Sequence, residues 1–297
     1  MTAESSNIRN IRARRSWGEN AWRLLKTAPI SAWFGMIVIL FYAFCALFAP
    51  LIAPYGEAQI VGNAYEKASA TFWFGTDQIG RDILSRVIYG ARNTIGIAIL
   101  TVLLSFSIGG VLGVFAAITR GWFDKIMGFL VDSLMSIPVL IFALMLLAVF
   151  QGHGDQRVKL ILILALLDST RVYRLARNTA LNVVVMDYVE AAKLRGEKLA
   201  WITLKEIVPN IMPPLVAEFG LRFCFVFLTI SALSFLGVGI QPPTADWGSM
   251  VAENKTLITY GRAQPLIPAG AIALLTVAVN FVVDWFLHKT SGLRDEH

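Results

Sequence analysis

Three groups of charged residues stand out in a chain otherwise poor in charge. Asp77, Arg81, Asp82 and Arg86 form two pairs spaced four apart. Residues four apart on a helix are neighbours, so these could pair along one helical face. Glu218 and Arg222 repeat that spacing inside a long apolar stretch. The third group is Asp187 to Pro209, DYVEAAKLRGEKLAWITLKEIVP, in which eight of 23 residues are charged. None of the three is a hydrolytic constellation. HExxH and GxSG patterns are absent, GxGD occurs once, at Gly152–Asp155 in a short loop, and His153, His288 and His297 are scattered. The phosphate-cradling pattern G-x-x-x-x-G-K-[ST] is absent too, since GARNTIGI and GEKLAWI both lack Gly-Lys-Ser/Thr. Cys45 and Cys224 lie in separate apolar stretches, without a CxxC or metal-type cluster. The expectation is a chain with no catalytic residue, no metal and no nucleotide of its own, whose charges serve ion pairing and docking.

The elements around these charges are apolar. The chain has 297 residues, is 56% hydrophobic and 15% charged, and has a mean hydropathy of +0.63. Ser31–Ile52 carries no charge, and neither do the stretches between Arg92 and Arg120 and between Arg262 and Asp284. A helix needs roughly 20 such residues to span about 30 Å of hydrocarbon. The pattern predicts an all-α membrane protein with six transmembrane helices. They lie near Ser31–Ile52 (an uncleaved first span), Asn93–Ile118, Ile126–Val149, from Lys159 onward, Ile211–Gly237 and Pro265–Leu287. The fourth is the least apolar, because Asp168, Arg171, Arg174 and Arg177 follow Leu160–Leu167. Asp132 and Asp168 read as polar contacts at helix ends.

With the N-terminus inside, the inner segments hold 17 Lys and Arg and the outer segments 8. That bias puts both termini in the cytoplasm. It also accounts for the net charge of +6 without a nucleic-acid partner. The expected organisation is a cytoplasmic segment 1–29, a first span 30–53 and an extracytoplasmic loop 54–92. A core of five spans follows over 93–287, with a cytoplasmic tail 288–297. Trp247 and Tyr260, in the last outer loop, read as interface anchors.

The segment 187–209 then falls in the cytoplasm. A charge at the bilayer centre costs roughly 2.5–3.5 kcal/mol on insertion scales, so this segment must meet water or protein. Asp187 and Glu190 give D-x-x-E, a capping-box-like start at the positive end of a helix dipole. Ala191 and Ala192 keep one face thin, and Gly196 can end the helix in the left-handed conformation. A second stretch carries apolar Leu199, Ile202 and Ile207 before Pro209, Pro213 and Pro214 interrupt it. Two readings stay open on physics alone: an amphipathic helix lying on the headgroups, or a docking knob for a cytoplasmic partner.

The residue pattern adds to this. Glu190-Ala191-Ala192, then Gly196 and, thirteen residues on, Pro209, resembles the EAA motif of ABC importer permeases. Glu206 departs from the Ile often found there, and Ile207 and Val208 follow it as in the peptide branch. Phe74–Thr94, FGTDQIGRDILSRVIYGARNT, resembles the GTDxxGRDxxSRxxYGAR signature of dipeptide/oligopeptide C-type permease subunits. Gly75, Thr76, Asp77, Gly80, Arg81, Asp82, Ser85, Arg86, Tyr89, Gly90, Ala91 and Arg92 carry the match. LSFLGVGIQPPTADWGSM, Leu233–Met250, is similar to that family's outer loop after span five.

The resemblance implies a type I ABC importer permease fold in a bacterial inner membrane. It implies a coupling helix within 187–208, carried by Glu190, Ala191, Ala192, Gly196 and Pro209, seated on a separate ATPase subunit. It also implies a homologous second permease, two ATPase subunits holding ATP and Mg, an extracytoplasmic solute-binding protein and surrounding lipid. The cargo implied is a dipeptide or oligopeptide; nickel chelates, opines and glutathione are the alternatives within the superfamily. From another class, a membrane scaffold or hydrolase stays open. The 75–86 signature is expected either to hold the outer loop or to touch the binding protein. Glu218 and Arg222 are expected to pair, lining a translocation path or serving only structure.

Overall fold

A computed structural model describes residues 27–150, 152 and 154–290. Most of the expected segment 1–29, together with His153 and residues 291–297, lies outside them. The described chain is helical, with two isolated β-bridges in the outer loop and no longer strand among the described residues.

Helix α1, Ile30–Ile52, buries Ala32, Gly35, Tyr42, Cys45 and Ala49 on one stripe, and Leu40, Leu47 and Leu51 point outward. An apolar residue left outward on a charge-free helix suits a hydrocarbon surround. Helix α2 runs Ile83–Thr119 and has a π turn at Ala91–Ile95. It starts ten residues before the expected Asn93, because Asp82 caps it by accepting from the Ser85 backbone N–H at 2.8 Å. The expected third span is broken. Helix α3, Gly121–Met135, and α4, Val139–Val149, meet at 90°. Pro138 sits at the break with an extended ψ of 122°, its ring excluding Ile137 from a continued helix.

Helix α5 spans Gln156–Val184, α6 Asp187–Leu194 and α7 Leu199–Phe235, the last through a π turn at Thr203–Ile207. Short helix α8, Trp247–Asn254, precedes the final α9, Leu266–Thr290. Four helices (α1, α2, α7 and α9) are long and apolar enough to cross a membrane, or five if the bent α3–α4 pair is one span. The expected six would also need α5, whose four central charges keep it outside that count. The prolines expected to interrupt the segment before span five do not do so. Pro209 occupies an opening position of the α segment after the π turn, where a missing N–H costs little. Pro213 and Pro214 lie inside that helix, on its exposed side.

The tightest pairing is α2 against α5. It rests on Gly109-x-x-x-Gly113, a small-residue spacing that lets membrane helices approach. A Cβ at Gly109 would lie 2.3 Å from the Ser169 carbonyl oxygen, and one at Gly113 2.5 Å from that of Tyr173.

The outer end is closed by the 53–82 loop and α8. Gly75 and Gly80 take φ of 77° and 85° there, against the carbonyls of Glu66 and Gly62, where a side chain would collide. Asp77 accepts from the backbone N–H groups of Ile79 and Arg81, each at 3.0 Å, and from Arg81 Nε at 2.6 Å. Arg86 also donates to it. Glu253, on α8, accepts from Arg81 Nη2 at 3.1 Å and Arg86 Nη1 at 3.0 Å. Two guanidiniums and two carboxylates thus close a buried ring across about 170 residues of sequence. The expected i, i+4 pairing holds only for Asp77 and Arg81, and those two sit in a turn. Asp82 and Arg86 do not pair, because Asp82 is spent on the cap and Arg86 turns to Asp77 and Glu253.

Trp247 corrects another expectation. It is fully buried, between Tyr42 and Phe227 at ring separations of 5.3 and 6.0 Å, and its indole N–H donates to the Val87 carbonyl at 2.8 Å. It is a core residue joining α1, α2, α7 and α8, whereas Tyr260 is exposed.

Three outcomes follow from this packing. Gly113→Val is expected to cost at least the roughly 1–3 kcal/mol of overpacking and to lower the melting temperature in detergent, read by fluorescence size-exclusion. Glu253→Gln leaves two buried guanidiniums on one carboxylate, and breaking such a pair costs about 3–5 kcal/mol. Its outer loop should become protease-sensitive while the spans stay folded. Burial pushes the Asp77 carboxyl up, but the N–H donors of Arg81 and Ile79 and the Arg81 guanidinium outweigh that and hold it below its ordinary value. A depressed folded value stabilises above the unfolded pKa of about 3.9 and is lost as pH falls through the folded one. Protease resistance of the outer loop should therefore persist down to about pH 4 and fail below it.

Candidate docking elbow and intramembrane charge cluster

Segment 187–209 folds as a helix, a sharp stop and the start of α7. Helix α6 begins after the turn at Val185–Met186, with Met186 at the cap position and no side-chain cap bond. The expected capping box does not form: Asp187 is already the first helical residue, one position too late to cap. Asp187 and Glu190 still lie in the first turn, where the dipole favours negative charge. At the other end the Gly196 N–H donates to the Lys193 carbonyl at 2.9 Å and the Glu197 N–H to that of Ala192 at 3.2 Å. This double closure requires a left-handed residue, and Gly196 has φ of 78°.

The two alanines of Glu190-Ala191-Ala192 face opposite ways. Ala192 and Val189 are buried against Ala180, Val184, Ile202 and Ile207, which anchors α6 to α5 and α7. Glu190 and Ala191 face outward, beside Tyr188 and Leu194, the latter 83% exposed. The Ile202 and Ile207 side chains face inward as expected, while Leu199 is exposed. Pro209 is exposed at the root of α7. The result is a knob whose outer face mixes acidic, basic and apolar residues, seated by a small apolar inner face.

The second site lies in the central turns of α5 and α7. Arg222 Nε approaches Glu218 Oε1 at 2.6 Å, the pairing expected from their spacing. Arg222 also reaches across to α5, with Nη1 3.7 Å from Asp168 Oδ1. Asp168 is therefore no helix-end contact. It is buried in mid-helix and accepts from Ser105 of α2 at 3.0 Å. Arg171, one turn along α5, lies with Cζ 4.4 Å from the Phe225 ring centre, and Arg222 lies 5.5 Å from the same ring. Further along α5, Arg174 pairs with Asp132 and Arg177 makes a bidentate pair with Asp124. These tie α3 to α5 and give Asp132 its partner.

Sequence spacing brought Glu218 and Arg222 together but missed Asp168, Arg171 and Ser105, which join them only through helix packing. It likewise missed Glu253, for which no local pattern exists. Among the described residues no group of three or more His, Cys, Asp or Glu could hold a metal.

Comparison with known proteins agrees with this geometry. The family model described as a binding-protein-dependent transport system inner membrane component matches residues 109–289. A second, the N-terminal TM domain of oligopeptide transport permease C, matches 16–68. The di/tripeptide transport system permease protein DppC of Pseudomonas aeruginosa is 32% identical, covering 88% of this chain and 85% of that one. The dipeptide permease DppC of Bacillus subtilis is 32% identical over 94% and 85%. The glutathione transport system permease protein GsiD of Pectobacterium atrosepticum is 30% identical over 99% and 95%. Among solved structures, a methionine ABC transporter in inward-facing conformations aligns with a TM-score of 0.54 at 16% identity, over 69% of this chain and 97% of that one. The elbow, the outer signature and the apolar helices thus sit in one fold, and the chain belongs to the inner membrane components of binding-protein-dependent transport systems.

Proposed function

We propose that this chain is one of two permease subunits of an ABC importer that carries dipeptides or oligopeptides across the bacterial inner membrane. The observation that carries this reading is the elbow, an anchored knob with an outward Glu190 and Ala191, on a chain whose sequence lacks the G-x-x-x-x-G-K-[ST] pattern. Relatives of nearly equal length are named for dipeptide or di/tripeptide transport. Six spans, with α5 and the bent α3–α4 pair among them, and cytoplasmic termini complete the arrangement. Two ATPase subunits bind ATP and Mg and move the elbow. Its displacement shifts α7 against α5, and the pathway opens alternately to the binding protein and to the cytoplasm. A ligand moves such an equilibrium only by binding its two states differently. Glutathione is the second reading for the cargo, favoured by a relative that matches along almost its whole length.

The outer signature fits a structural role better than contact with the binding protein. Asp77, Arg81 and Arg86 are buried and joined through shared ion pairs, so a docking protein could not reach them. Glu218 and Arg222 are partly exposed on α7, which suits a water-lined path.

Three measurements test this reading. The tagged chain should co-purify with an ATPase bearing a Walker A motif, and Glu190→Lys or Gly196→Val should abolish that while leaving the permease folded. At Gly196 nothing crowds an added Cβ, so the loss would come from the roughly 1–2 kcal/mol of left-handed strain alone. Glu218→Gln with Arg222→Gln should slow uptake about tenfold, some 1.4 kcal/mol of barrier, with assembly intact; unchanged uptake removes the pair from the path. For the cargo, calorimetry on the binding protein encoded beside this chain should show peptide affinity. Affinity for nickel complexes without peptide would overturn the peptide assignment.

A further inference from the structure

The charges between α5, α7 and α2 are not fully satisfied by one another. Asp168, Glu218, Arg171 and Arg222 sum to zero, yet their contacts are uneven. Glu218 and Arg222 are close, but Arg222 stands 3.7 Å from Asp168, beyond hydrogen-bond range. Asp168 Oδ1 is buried and has no hydrogen-bond partner among the described residues. Arg171 has no ion pair or side-chain hydrogen bond among them, only the Phe225 ring. Arg222 Nη1 is likewise buried with no hydrogen-bond partner among the described residues, and buried donors in native proteins are satisfied, so two guanidiniums with donors to spare mark a place for an acceptor. Two guanidiniums on one aromatic ring repel each other, and each offers a planar fork that matches a carboxylate.

We propose that Arg171 and Arg222, converging on Phe225, form a transient site within the spans for the free α-carboxylate of the transported peptide. A peptide with ionised ends cannot cross a low-dielectric path unaided, since each charge loses its water. Arg171 supplies the attraction that the protein leaves unspent. Arg222 is drawn from Asp168 toward the cargo while Glu218 holds its other side, and Asp168 stays on Ser105. No residue outside this cluster is needed. The inference rests on the peptide reading of the function.

The test uses the complete importer in proteoliposomes with its ATPases and binding protein. Uptake of dialanine and of its C-terminal amide is compared at equal occupancy of the binding protein, which separates this site from upstream selection. Arg171→Gln should slow the free acid about tenfold, the scale of a lost hydrogen bond to a charged group, and leave the amide within about twofold of wild type. Arg171→Lys should recover part of the difference. An equal loss for acid and amide, or no loss for either, would overturn the carboxylate site and leave the peptide assignment standing. If Arg171→Gln does not assemble with its partners, Arg171→Lys carries the test: a narrowed acid preference supports the site and an unaltered one overturns it. Failure of the wild-type importer to take up any peptide would sink the function and this site together.

Discussion

A charge in hydrocarbon has no solvent, so it must meet an opposite charge or reach water, and the arrangement of this chain follows from that constraint. Around the spans it produces three solutions. At the outer end two guanidiniums and two carboxylates close into a buried ring, binding the 53–82 loop to α8. Toward the α3 side, Arg174 and Arg177 find Asp132 and Asp124 and hold the bent α3–α4 pair against α5. In the central turns the solution is looser, and the Arg222 to Asp168 contact stays long. The tight contacts fix structure, and the loose one leaves its side chains less constrained.

Backbone geometry decides which of these elements move together. The elbow is tied to α5 and α7 by Val189, Ala192, Ile202 and Ile207, so it rides on both helices instead of hanging from a flexible strand. Its C-terminal stop at Gly196 spends two backbone hydrogen bonds on one turn, which keeps the angle between α6 and α7 defined. On the opposite side, Gly109 and Gly113 bring α2 so close to α5 that these two behave as one unit. The Trp247 ring locks α1, α2 and α7 at the outer end.

Much of this was legible in the sequence where the governing interaction is local. Charge-free runs located α1, α2 and α9, and the Glu190 to Gly196 spacing located the elbow and its stop. Interactions across the bundle were not legible. The i, i+4 rule assumes a helix, and Asp77–Asp82 is a loop, so the rule found one true pair and invented another. Glu253 stands well over 150 residues from its partners, and Asp168 meets Arg222 only because α5 and α7 pack side by side. Trp247 resembled an interface anchor because composition cannot distinguish a loop that folds back into the core from one that stays outside. Pro138 broke a span that hydropathy alone joins, whereas Pro213 and Pro214 broke nothing, since the residue type fixes a local cost and the surrounding helix decides whether to bear it.

The course of α7, from the elbow at Leu199 through its π turn to Phe235, gives it the character of a lever. At 1.5 Å per residue the rod is about 54 Å long, and Arg222 lies about 20 Å from its outer end. If Trp247 and Phe227 act as the fulcrum, a displacement at the elbow arrives at Arg222 reduced to roughly a fifth. A shift of about 3–5 Å below would thus become about 0.5–1 Å above. That is the difference between the present 3.7 Å separation of Arg222 from Asp168 and a formed or broken ion pair. Reduction gearing of this kind lets a coarse movement outside the membrane set a fine adjustment within it, without a chain of intermediate residues to relay it.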